Sequence, residues 1–116
     1  MVSEDDVRRI ALRLPGAYEK ASYGGAPSFR TKPRGFAFLR AEINALAVYV
    51  ASEEDKFALI ASDPDIYFTT AHYDGHPMVL VRLGAVGTAE LAEVLTDSWR
   101  LRTPKFHVRR LDAADS

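Results

Sequence analysis

The chain has 116 residues, 47% hydrophobic and 27% charged, with a net charge of −1 and no cysteine. That length fits one domain able to bury roughly two thirds of its unfolded surface, and the composition excludes wholesale disorder. Disulfides, thiolate metal ligands and a Cys nucleophile are excluded together, and an acidic start with no apolar run near the ~18 residues of a membrane span predicts a cytoplasmic protein.

Ser3 and Asp6 form a capping-box pattern, with Glu4 and Asp5 favourable beside the positive end of a helix dipole. Val7, Ile10, Ala11 and Leu14 recur at helical spacing, so an amphipathic helix runs to Leu14-Pro15-Gly16 and is predicted to cover a sheet. Residues 17 to 50 read as strands. "PSFRT" and "GFAFLRA" flank Lys32-Pro33-Arg34-Gly35, whose Pro in second place and Gly in fourth predict a type I turn with a basic tip. Period two sets Ser28 and Arg30 against Phe29 and Thr31 in the first arm, and Ala37 and Leu39 against Phe36 and Phe38 in the second. "ALAVYV" is a further strand, reached through a short turn at Glu42 to Asn44.

Ser52 is predicted to cap a second helix with acids in its first turn and Phe57, Ile60 and Ala61 on one side, ending before Asp63-Pro64. "DIYFTTAHY" and "HPMVLVRLGAV" form a second hairpin. Thr88 caps a long helix whose apolar stripe is Leu91, Val94, Leu95, Ser98 and Trp99, and Thr103-Pro104 breaks it ahead of a short terminal helix. Strands joined by short turns are antiparallel. The order therefore predicts an α+β fold, an antiparallel sheet of about five to six strands with helices packed on one face.

His72-Tyr73-Asp74-Gly75-His76 concentrates two of the three histidines. Asp74-Gly75 predicts a type I′ hairpin turn, with Tyr73 facing His76, His72 facing Pro77 and Thr70 facing Val79; a bulge at Pro77 would alter that register. Gly75 and Pro77 exclude the helical His pair of a zinc site, and the ligand set is incomplete, so no metal and no cofactor are expected. No Gly-x-Ser-x-Gly elbow presents a nucleophile. The stretch reads as a turn, with His72 at the sheet rim.

Charge is segregated along the chain. Residues 20 to 41 carry Lys20, Arg30, Lys32, Arg34 and Arg40 without an acid, and residues 98 to 111 carry Arg100, Arg102, Lys105, Arg109 and Arg110 without one. The segment between holds ten acids against Lys56 and Arg82. If the basic blocks share a face, that face attracts polyanions; the plainer reading is solvated surface, and cations at a helix C-terminus also favour its dipole. Tyr18, Tyr23 and Tyr49 are of the type that stacks on bases, although strand aromatics more often pack in cores.

The stretches "LPGAYEKASYGGAPSFR", "FAFLRAE", "SDPDIYFTTAHYDGHPMVLVRL" and "ELAEVLTDSWRLRTPK" resemble the MmcQ/YjbR-like family in order and over nearly the whole chain. Glu19, Tyr23, Gly24, Pro27, Phe29, His72, Tyr73, Trp99, Pro104 and Lys105 match its recurring positions, while Ala71 and the longer "TKPRGFA" turn depart from it. The resemblance implies a frataxin-like or double-wing α+β architecture and a family commonly described as DNA-binding. The expected function is a monomeric, nonenzymatic domain contacting the phosphates of DNA or another polyanion through Arg30, Lys32, Arg34 and Arg40 together with Arg100, Arg102, Lys105 and Arg109. One alternative is a protein-interaction or anionic-ligand module with a pocket of Glu19, Tyr23, His72, Tyr73 and Lys105. A third is an enzyme using His72 as acid or base, with Glu19 orienting the ring.

Overall fold

The structure is a computed structural model describing every residue except Tyr23 and Ser116, with Asp115 described through its backbone alone. Chain order is α1 (Glu4–Ala11), β1 (Tyr18–Ala21), β2 (Pro27–Thr31), β3 (Arg34–Arg40), β4 (Ala45–Tyr49), α2 (Glu53–Ser62), β5 (Tyr67–Phe68), β6 (Met78–Arg82), α3 (Thr88–Arg102) and α4 (Lys105–Asp115), with 3-10 turns at Ala41–Ile43 and Ala71–Tyr73. The sheet order is β1-β2-β3-β4-β6-β5, every neighbouring pair antiparallel. The α+β class and the single antiparallel sheet agree with the sequence.

The first helix begins as its residues dictate. Ser3 Oγ accepts the Asp6 N–H at 3.2 Å, and the Asp6 carboxylate accepts the Ser3 N–H at 2.9 Å. The Ser3 backbone bond, followed by Arg9 and the Ser3 hydroxyl, holds the Asp6 carboxyl below its ordinary pKa. A carboxyl depressed by folding stabilises the fold above its unfolded pKa, and that contribution disappears as pH falls through the folded value. Asp6→Asn is therefore expected to flatten the acid limb of stability against pH, read by denaturant titrations at neutral and acid pH. An unchanged limb would remove the cap from the account.

Helices α1 and α3 lie on one face of the sheet, where Phe29, Phe36, Leu46, Leu91, Leu95 and Trp99 are fully buried. The Ser98 hydroxyl, on the buried stripe of α3, donates to the Phe36 carbonyl and accepts the Tyr49 N–H, clamping α3 to β3 and β4. Trp99 Nε1 donates to the Pro15 carbonyl at 3.1 Å. The ring of His107 in α4 presses on Gly16, where φ is +75° and an added Cβ would lie 2.6 Å from the ring, so only glycine fits.

Five local expectations need correction. The β2–β3 turn is shifted by one residue: Thr31 pairs with Arg34, leaving Lys32 and Pro33 as the loop across a cis peptide, rather than Lys32 to Gly35 as a type I turn. A register shift after Phe29 compensates, pairing Phe29 with Ala37 and Arg30 with Gly35. The extra residue, Phe36, joins Ala37 in the helix-covered core instead of sharing a side with Phe38. In α2, Phe57 and Ala61 are exposed and the buried position is Lys56, because its ammonium finds carbonyl acceptors. Gly87, not Thr88, is the cap of α3, and α4 is a full helix of 11 residues.

The fifth correction answers what the histidine stretch is. Asp74 has φ −59° and ψ 132°, Gly75 has φ +77°, and the His76 N–H reaches the Tyr73 carbonyl at 3.1 Å. Those angles follow the type II pattern, with glycine where φ must be positive, and not type I′. Strand β5 stops at Phe68, pairing Tyr67 with Val81 and Phe68 with Leu80, so Thr70, His72 and Tyr73 are not in the predicted ladder. Lys56 Nζ bonds the Tyr73 and His76 carbonyls at 2.7 and 3.1 Å and holds the turn in this form.

Candidate functional site: the helix-free face of the sheet

Among the described residues no α-helix packs on the other face, whose middle is covered by Tyr73 from the 3-10 turn Ala71–Tyr73. Its strand positions include Tyr18 and Lys20 of β1, Ser28 and Arg30 of β2, Phe38 and Arg40 of β3, Tyr49 of β4, Phe68 of β5 and Arg82 of β6, aligned through the cross-strand pairs. A small apolar cluster, Ala45, Ala47, Leu80 and the ring of Tyr73, fills its middle, with Phe38, Phe68 and Met78 half-buried around it. Arg40 and Arg82 flank Ala45 on adjacent strands. No strand position on this face carries a carboxylate.

Each of three arginines lies over a ring. Arg82 sits 3.9 Å from the centroid of Phe68, Arg102 4.0 Å from that of Tyr49, and Arg40 5.7 Å from that of Tyr73. Arg40 also donates to the Tyr73 hydroxyl and bonds Glu42 at 2.6 Å. Gly35 makes room here: an added Cβ would meet the Phe38 ring at 2.6 Å and the Arg30 guanidinium at 3.0 Å.

The two basic stretches of the sequence meet at the hairpin. Arg102 Nε donates to the Gly35 carbonyl at 3.1 Å, and the Thr31 and Thr103 hydroxyls bond each other at 2.9 Å. Lys32 and Arg34 are exposed at the tip, and Lys105 and Arg109 are exposed on α4, whose first residue follows Thr103 by two positions. Arg100 points elsewhere. It bonds Asp112 at 2.9 Å and lines a cleft of about 950 Å³ between α2 and α3, whose walls carry Asp55, Glu90, Glu93 and Asp97. Tyr67 donates to Glu90 there; burial first, then that bond, raises the pKa of its hydroxyl. The cleft is acidic and lies on the helix side.

The residues of the alternative pocket are not gathered. Glu19 stands on the edge strand β1, on the helix-covered side, where Arg8 bonds both its oxygens at 2.6 and 3.1 Å and holds its carboxyl below the usual range. His72 and Tyr73 follow β5 at the opposite edge, and Lys105 opens α4. Tyr23 lies outside the described residues. His72 is exposed, with its ring edge-on to Tyr73 at 4.9 Å. Among the described residues no three His, Asp or Glu side chains are grouped to hold a metal ion, and no helix is long and apolar enough to cross a membrane.

Sequence reasoning missed Arg82, Phe68 and Phe38 as members of a surface. Their only signal is strand alternation, which pairs faces without saying which face a helix covers.

The fold and face define a one-sheet α+β domain with helices on one side and a basic, aromatic surface on the other. The YjbR family model matches residues 12–101, and the chain belongs to that family. It is 35% identical over 118 aligned positions to Rv2570 of Mycobacterium tuberculosis, an alignment covering 90% of this chain and 92% of that protein, and equally to Mb2600 of Mycobacterium bovis; both are described as uncharacterized. The crystal structure of Deinococcus radiodurans DR2400, a DUF419 domain, superposes with a TM-score of 0.73 at 25% identity, covering 87% of this chain and 78% of that one.

Proposed function

We propose that the domain is a nonenzymatic nucleic-acid-binding protein that contacts phosphates through Arg30, Lys32, Arg34, Arg40, Arg102, Lys105 and Arg109. The observation that carries this reading is the junction of the two basic stretches, made by the Arg102–Gly35 and Thr31–Thr103 bonds. Long cationic side chains on a protruding hairpin and a neighbouring helix suit a polyanion, and the strand positions of the sheet face add no carboxylate to repel one. Arg100 is left out of this set because it faces the acidic cleft.

Fluorescence anisotropy with labelled single-stranded and duplex DNA at two salt concentrations tests the reading. Binding is expected at low salt and should collapse as salt rises, since neutralised phosphates release counterions. Lys32→Ala combined with Arg34→Ala is expected to weaken binding equally at every sequence and to reduce the salt slope by about 1.5 to 2, the share of two phosphate contacts. Unchanged affinity in that variant would remove the hairpin from the interface.

A further inference from the structure

Resting on the nucleic-acid reading above, we propose that the ligand is a single strand whose unpaired bases stack on the helix-free sheet face, against the guanidinium groups of Arg82 and Arg102. Phosphate contact alone needs no rings, and this face carries them beneath guanidinium groups. Arg82 lies on Phe68 and Arg102 on Tyr49 within van der Waals reach, so each guanidinium has one side against an aromatic ring. A guanidinium is planar and weakly hydrated, and bases stack on it as they do on aromatic rings.

The two stacks are spaced for one strand. Arg82 pairs with Ala45 and Met78 pairs with Tyr49, so the stacks stand at opposite ends of β4 and β6. Four residues of strand separate them by about 13 Å, and the Tyr73 ring lies between them against Ala45, Ala47 and Leu80. Cations border the path: Arg40 stands beside Arg82 across Ala45, and Arg30 lies beside Phe38 at Gly35. A duplex offers its phosphates to such a face but keeps its bases stacked on one another. Bases of a single strand are free to turn onto the guanidinium planes.

The test compares probes that share phosphates and differ in bases. Full-length protein is titrated by anisotropy with labelled oligo-dT, oligo-rU, an abasic strand and a duplex, each of about 12 nucleotides per strand. Oligo-dT or oligo-rU is expected to bind at least about tenfold tighter than the abasic strand and the duplex. Arg82→Lys with Arg102→Lys keeps the charge and removes the planes. It is expected to abolish the preference for bases, so that the variant binds oligo-dT and oligo-rU no more tightly than it binds the abasic strand. If the double variant melts lower because Arg102 also holds the Gly35 carbonyl, Arg82→Lys alone carries the test, with a smaller loss. Equal binding of oligo-dT, oligo-rU and the abasic strand, or a preference that survives in the Lys variants, overturns the stacking. If the hairpin variant still weakens all four probes in that case, phosphate binding stands without it. No binding of any probe at low salt overturns both.

Discussion

Trp99→Ala is expected to destabilise the domain by about 3–5 kcal/mol, the usual cost of emptying a large aromatic site. Trp99 is fully buried in α3, and its indole N–H bonds the Pro15 carbonyl just after α1. Alanine therefore opens a cavity between the sheet and two helices and also strips a carbonyl of its donor. Against a typical total of about 5–15 kcal/mol, the loss takes a large share of the stability. Trp99→Phe keeps most of the packing and loses the hydrogen bond, so its cost should fall well below that of alanine. Urea or guanidinium melts of the three proteins check the order. Equal midpoints for wild type and Trp99→Ala would mean that the core closes around the gap.

Lys56→Met is expected to cost about 2–3 kcal/mol, the range for losing hydrogen bonds to a charged donor. Methionine retains the buried aliphatic stem, so the change isolates the ammonium. Lys56 is 1% exposed, and its Nζ holds the carbonyls of Tyr73 and His76. Without it the turn from Ala71 to His76 loses its internal anchor. The Tyr73 ring, which fills the middle of the helix-free face and receives the Arg40 bond, loses its support. Amide exchange should accelerate in residues 71 to 76 more than in α1 or α3. Uniform acceleration across the chain would instead mean that Lys56 stabilises the whole fold and not this turn.

Much of the architecture was legible because its causes are local. The Ser3–Asp6 capping box and the Ser52 cap act within three residues, and both form as their spacing predicts. The stripe on α3 buries Leu91, Leu95, Ser98 and Trp99, as helical periodicity requires. Lys56 was illegible for the opposite reason. A lysine in an acidic first turn reads as solvated, and its burial depends on two carbonyls 17 and 20 residues further on. The pair Asp74-Gly75 marks where the chain turns but not the turn's type, because the 3-10 turn before it and the Lys56 anchor behind it select the backbone angles.

The candidate surface divides in the same way. Period-two patterning already groups Ser28 with Arg30 and Phe29 with Thr31, and the two acid-free basic stretches are plain in the sequence. By itself, then, the sequence determined the element order, the antiparallel pairing, the helical stripes and the segregation of charge. Tertiary structure alone decided which sheet face the helices cover, that Phe36 turns inward at the bulge, and that Arg82 meets Phe68 while Arg102 meets Tyr49. Caps and periodicity act between near neighbours in the chain, whereas sidedness rests on contacts such as Thr31–Thr103 and Pro15–Trp99, separated by 72 and 84 positions, which exist only once the helices have docked.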